Sequence, residues 1–133
     1  MREILFRGKR LNNREWKFGS YAYQYGCHEI LLESCEGEYG FDHYEVDPAT
    51  VCQYTGLKDK NGKRIFEGDV LRITDRYGKA LNWTVEFRRG GFFGKHPNCD
   101  FYWSVGDLKG YTVEVVGNIH DNPELLVGGN GDD

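Results

Sequence analysis

The chain has 133 residues, 39% of them hydrophobic, and a net charge of −4, so it can bury a core as one ordinary domain or two small barrels without disulfide staples. Its three Trp, nine Tyr and eight Phe make flat rings the main core material, which favours sheets over helices. The acidic balance weighs against nonspecific nucleic-acid binding, and the short run Ile4, Leu5, Phe6 between charges is neither a signal-peptide core nor a membrane span, so a cytoplasmic protein with no membrane partner is expected.

In chain order, Ile4 and Phe6 alternate with Glu3 and Arg7, and after a polar Asn12, Asn13 turn an alternating face resumes with Trp16, Phe18, Tyr21 and Tyr23. That pattern predicts a β-hairpin with a long second arm. Ile30, Leu31 and Leu32 predict a short strand, followed by an acidic loop punctuated by Gly37 and Gly40. Pro48 marks a boundary, because the residue before a proline is pushed toward extended geometry. Residues 50–54 read as a strand, and Asn61, Gly62 predict a type I′ hairpin turn, since both residues tolerate positive φ.

Gly68 is expected to supply a bend just before the strand at residues 70–73, with Asp69 bonding its own backbone in a structural role. Residues 76–79 predict a turn. Leu81, Trp83, Val85 and Phe87 alternate with polar partners and form the clearest half-buried strand. Gly90, Gly91 and Gly94 surround Phe92 and Phe93, which predicts a flexible aromatic loop. Residues 101–103 and 111–116 predict two further strands. Asn122 before Pro123 reads as an N-cap with proline at the first helical position, so one short helical turn should end the fold. Residues 128–133 offer nothing to bury and are expected to be disordered. Short, closely spaced strands with turn signals argue for a mainly β protein built of small barrels.

Charge is distributed in blocks of +4 over residues 1–17, −7 over 18–57, +4 over 58–109 and −5 over 110–133. Two readings follow: neighbouring strands that cancel, or complementarity between subunits or with a partner.

The run VDPATVCQYTGLKDKNGKRIFEGDV, residues 46–70, closely resembles the central motif of the YopX family of phage and prophage proteins. FRGKR at residues 6–10, EVVGNI at 114–119 and NPELL at 122–126 resemble its flanking motifs. The resemblance implies a β-rich N-terminal subdomain (1–48), an SH3-like barrel (49–127), a phage-encoded origin, hence the host cytoplasm, and no established activity. It carries over no catalytic residue. Cys52 stands where a small residue such as Gly is expected. Residues 24–44 and 77–110 are most particular to this chain, so a specific partner would be read there.

Candidate chemistry is sparse. Cys27, His28, Cys35, His43 and Cys52 supply enough donors for zinc, but the spacing fits no ribbon or finger, and adjacent strand residues face opposite sides. Cys99 with His96 lacks an orienting third group, and His120 beside Asp121 reads as a helix-entry turn. Glu36, Glu38, Asp42, Glu45 and Asp47 lack the order of a calcium loop and read as a solvated acidic loop. With none of the four cysteines in a Cys-x-x-Cys spacing, reduced thiols are expected.

Arg88, Arg89 and Lys95 flank Phe92, Phe93, Tyr102 and Trp103, a mixture of cations and rings that can track a single strand by stacking, or serve as core. These seven residues are the candidate binding site; no catalytic residue, metal or cofactor is expected. The sequence thus reads as a non-enzymatic interaction module that self-associates or binds a host or phage protein, with a small nucleic-acid-binding regulator as the alternative.

Overall fold

A computed structural model describes residues 3–33, 40–98 and 101–126. The protein is mainly β, with two antiparallel sheets and almost no helix, and it divides into two compact units between Tyr54 and Thr55. Cys35, Glu36, Glu38, Cys99 and the tail at 128–133 lie outside the described residues.

The first unit contains β1 (Phe6–Lys9), β2 (Trp16–Gln24), β3 (Cys27–Glu33), β4 (Phe41–Glu45) and the start of β5 (Cys52–Lys58), hydrogen-bonded in the order β4-β3-β2-β1-β5. Residues 41–45, expected within an acidic loop, are a strand, because Tyr44 stands opposite Ile30 and extends the face that Ile30 buries completely. Gly19 breaks the alternation of β2 for a steric reason: a Cβ there would meet the Leu31 carbonyl oxygen. Gly8 likewise accommodates Val46, whose Cγ2 would lie 3.0 Å from an added Cβ.

The bend between β4 and β5 is a 3-10 turn, Pro48–Thr50, at the boundary the sequence reading set at Pro48; it takes in Thr50, which that reading placed at the start of the strand. Asp47 Oδ1 accepts the Ala49 N–H at 3.0 Å, and Thr50 Oγ1 accepts the Lys9 N–H at 2.9 Å while donating to the Asp47 carbonyl at 2.6 Å. Cations of the N-terminal block lie over aromatic rings as well as beside acids. Arg7 and Lys9 lie over the Trp16 ring at 4.7 and 5.5 Å, and Arg10 and Lys17 over the Tyr44 ring at 4.8 and 4.5 Å. Arg14 pairs with Asp47 at 3.1 Å across the first two charge blocks.

The second unit takes the remainder of β5 together with β6 (Arg64–Phe66), β7 (Asp69–Thr74), β8 (Ala80–Arg88), β9 (Gly91–Lys95), β10 (Tyr102–Ser104) and β11 (Thr112–Asn118). Its five-stranded sheet runs β10-β9-β8-β7-β11. Ile65, Leu71, Ile73, Trp83, Val85 and Val105 form the buried core, with Phe92, Trp103 and Val113 packed against it. Burying each large side chain contributes about 2 kcal/mol. Neither sheet closes on itself among the described residues.

Two turns of this unit share one chemistry. In Asp59-Lys60-Asn61-Gly62-Lys63 and Asp75-Arg76-Tyr77-Gly78-Lys79, the first and last residues are paired through a backbone bond of 2.8 Å, and the glycine N–H returns to the aspartate carbonyl at 3.0 Å. In both, the aspartate Oδ1 accepts the N–H groups of the third and fifth residues at 2.8 to 3.0 Å. Only the glycine is left-handed, at φ 81° and 86°. The Asn61, Gly62 turn is therefore not type I′, because the aspartate carboxylate organises a three-residue loop closed by a glycine bulge. Among the described residues, the two-residue turns with both φ values positive are Tyr25-Gly26 (55°, 79°) and Arg89-Gly90 (48°, 82°). The second of these converts the expected aromatic loop around Phe92 and Phe93 into β9, paired with β8 from Arg88 opposite Gly91 to Thr84 opposite Lys95.

Gly68, at φ 84°, bends the chain into β7, and the Asp69 carboxylate accepts the Phe66 N–H at 2.7 Å. Residues Pro123–Leu126 form a 3-10 turn. Gly117 makes room for it, since a Cβ there would stand 2.6 Å from Asn122 Oδ1 and 2.8 Å from Leu125 Cδ1.

Candidate functional site

Directly opposed residues of an antiparallel sheet share a face, so the registers of β8, β9 and β10 sort the aromatic and basic residues without reference to their chemistry. One face carries Trp83, Val85, Phe87, Phe92, Gly94 and Trp103, and the other carries Thr84, Glu86, Arg88, Phe93, Lys95 and Tyr102. The seven candidates therefore do not form one patch. Phe92 and Trp103 face the core side, while Arg88, Phe93, Lys95 and Tyr102 face away from it, and Arg89 occupies the turn.

On the polar face, Arg88, Arg89, Phe93 and Tyr102 line a hollow of about 420 Å³. The Arg88 guanidinium lies 4.0 Å over the Tyr102 ring, a stacked geometry suited to a delocalised cation. Lys95 shares this face but directs its ammonium to the His96 carbonyl at 3.3 Å. Gly91, opposite Arg88, leaves the Phe93 ring space, since a Cβ there would come within 3.3 Å of its Cε1.

The opposite face opens into a larger cleft of about 680 Å³ whose walls include Trp83, His96, Phe101, Trp103 and Tyr111, with Asp75 and Lys79 also lining it. Trp103 is its centre, with ring centroids at 5.4 Å from Trp83, 6.0 Å from Phe101 and 5.0 Å from Tyr111. Phe101 and Tyr111 are 49% and 38% exposed. The sequence reading named Trp103 but missed Trp83, His96, Phe101 and Tyr111 as one group. The available signal was the alternation of β8 with the odd spacing of 101, 103 and 111, and it required the strand register to be used.

Among the described residues, the groups weighed for catalysis and metal binding are not drawn together, and Cys99, weighed with His96, lies outside them. His96 Nδ1 is within 3.0 Å of the Asn98 N–H, and its ring meets Trp83 edge-on at 5.2 Å. Cys27 and His28 are successive residues of β3 and so face opposite sides; the His28 ring nitrogen is hydrogen-bonded to the Tyr21 hydroxyl. The Glu45 carboxylate, burial, a hydrogen bond with Glu45 and the Glu29 charge push the Cys27 thiol above its ordinary value, which disfavours the nucleophilic thiolate. Buried Cys52 donates its S–H to the Thr50 carbonyl at 3.2 Å. His43 lies 3.3 Å from Glu29 and so, with Asp42 and Glu45, belongs to the β3–β4 pairing. His120 donates its backbone N–H to Asn118 Oδ1 at 2.9 Å. Among the described residues no group of three or more His, Cys, Asp or Glu gathers as a metal site, and no helix is long and apolar enough to cross a membrane.

Comparison with known proteins yields one family and a related fold. The model of the family described as YopX protein matches residues 5–127. The crystal structure of protein EF1440 from Enterococcus faecalis is similar at a TM-score of 0.61 and 23% identity, over 95% of this chain and 99% of that one, a likeness of fold. No curated protein matches the chain.

Proposed function

The chain belongs to the YopX family, and from that footing we propose that it is a non-enzymatic accessory protein of a phage or prophage, an interaction module that self-associates and receives a host or phage protein. The observation that carries this reading is the aromatic cleft of the second unit, in which Phe101 and Tyr111 stand partly exposed around Trp103. Rings held in a preformed cleft offer contact area at low entropic cost and are enriched where proteins bind one another. The Cys27 thiol, held protonated chiefly by the Glu45 carboxylate, favours binding over covalent chemistry there. An SH3-like barrel over residues 49–127 belongs to the same reading, supported by short antiparallel strands joined by tight turns. So does a cytoplasmic location, which suits free cysteines.

Light scattering over a range of protein and salt concentrations tests self-association. A mass that is a multiple of 15.4 kDa and falls as salt rises is expected, because the alternating charge blocks are screened. A constant 15.4 kDa at every concentration overturns it. Capture from host lysate by the wild type, lost in Phe101→Ser and Tyr111→Ser variants that still fold, supports the cleft as the receiving surface; equal capture by the variants counts against it.

A further inference from the structure

The hollow on the polar face holds a combination that the aromatic cleft does not use. Arg88 and Arg89 are consecutive, yet both line the same hollow, because β8 ends at Arg88 and Arg89 opens the two-residue turn. Neither guanidinium makes an ion pair with a described residue, although Glu86 lies on the same face, directly opposite Phe93. Two cationic forks that pair with no described carboxylate thus stand beside the rings of Phe93 and Tyr102.

Each part of this arrangement answers a different part of one ligand. A guanidinium fork matches the oxygens of a phosphate, with paired N–H donors. A ring with an open face accepts a flat base by stacking, whatever the base, and Phe93 and Tyr102 are both partly exposed. The Arg88 fork is already ordered over Tyr102 at 4.0 Å, so less freedom is lost when it engages an oxygen. The hollow, at about 420 Å³, falls within the range of small-ligand sites and is larger than a bare anion needs.

Arg89 adds an independent sign. Its φ of 48° is left-handed, where a β-carbon is disfavoured and Asn, Asp or Gly is the usual occupant of a type I′ turn. The turn would be more stable with one of those residues, and an observed backbone cost of this kind points to a use for the side chain.

We propose that the hollow of Arg88, Arg89, Phe93 and Tyr102 binds a nucleotide unit, a phosphate joined to a nucleobase, with the guanidinium pair on the phosphate and the rings on the base. The proposal is independent of partner capture in the aromatic cleft, which lies on the other face of the sheet. The ligand can come from a free mononucleotide or from a single strand, and the two are distinguished by titration.

The test is anisotropy of a fluorescein-labelled oligothymidylate at low salt, with calorimetric titration of thymidine monophosphate and of inorganic phosphate. Saturable binding of the oligonucleotide alone assigns a single strand, and binding of the mononucleotide as well assigns the isolated unit; both support the proposal. Arg88→Gln and Phe93→Leu should each weaken binding roughly tenfold, in keeping with the loss of a fork or a stacked base. Arg89→Asn should weaken it while leaving the melting temperature unchanged or raised, since Asn is at ease in the turn. If Arg89→Asn instead lowers the melting temperature, Arg88→Gln and Phe93→Leu, which lie outside the turn, still decide. Inorganic phosphate binding as tightly as the nucleotide, with Phe93→Leu without effect, would reduce the hollow to an anion site and overturn the proposal. Absence of binding by all three probes overturns it outright.

Discussion

Asp59 Oδ2 accepts the backbone N–H of Val115 at 2.9 Å, 56 residues away in sequence. The same carboxylate, 8% exposed, takes the Asn61 and Lys63 N–H groups through Oδ1, and the neighbouring Lys60 N–H reaches the Val113 carbonyl at 3.0 Å. One side chain therefore shapes the β5–β6 turn and fastens it to β11.

Asp59→Ala should destabilise the second unit by about 3 kcal/mol, because three partly buried N–H groups lose a charged acceptor. Asp75 makes the equivalent turn bonds on the exposed surface, and its carboxylate bonds no distant strand among the described residues, so Asp75→Ala should cost only about 1 kcal/mol. Denaturant titration of the two variants measures the difference, and equal losses would remove the role assigned to the Val115 bond.

Stability should also depend on acid through Asp59. Burial pushes this carboxyl up, but the N–H groups of Val115, Lys63 and Asn61 and the Lys63 charge outweigh it, and its pKa lies below the ordinary value. A depressed folded pKa gives stability that is fully present above the unfolded value of about 4 and is lost as pH falls through the folded one. The difference in stability between wild type and Asp59→Asn should hold steady at neutral pH and shrink in that acid window.

Gly19→Ala should destabilise the first unit by about 1 to 3 kcal/mol, since the added Cβ meets the Leu31 backbone oxygen, which cannot rotate aside. At Gly26 the space is open and only the positive φ of 79° opposes a side chain, so Gly26→Ala should cost about 1 kcal/mol. Thermal unfolding that ranked the two in reverse would contradict the close approach of β2 and β3.

Cys27 should alkylate slowly at mildly alkaline pH, because the Glu45 carboxylate is the largest of the causes that hold its thiol protonated. Glu45→Gln lowers the thiol pKa and should speed iodoacetamide labelling of Cys27 severalfold. Peptide mass spectrometry reads this site separately from the other three cysteines. An unchanged rate would show that the carboxylate does not govern the thiol.

Much of the second unit was readable from local pattern. Leu81, Trp83 and Val85 alternate with polar residues and do form the inward side of β8. The Asn61, Gly62 pair announced a turn but not its kind, because the deciding group is the Asp59 carboxylate two residues earlier, and the same Asp-x-x-Gly-Lys arrangement at Asp75 passed unnoticed. The three glycines after Arg89 suggested a loop. Only Gly90 serves a turn, while Gly91 and Gly94 lie inside β9, giving space to Phe93 and Trp83. β4 was missed because its residues are mostly polar and exposed; only Tyr44 turns partly inward.

The seven candidate residues show where sequence stops. Alternation alone separates Phe92 from Phe93 and Tyr102 from Trp103, since neighbours on a strand point to opposite sides. It cannot say which side the core takes, nor that Arg88 meets Tyr102 or Trp103 meets Tyr111, because those meetings depend on the register between strands. Composition and local pattern determined the β class, the family resemblance and most turns, which depend on backbone preferences within a few residues. The tertiary structure alone decided the partition into a polar hollow and an aromatic cleft, and the bond from Asp59 to Val115. These arise from pairings between distant segments, whose register is selected by burying one face of the sheet and is written in no single stretch of chain.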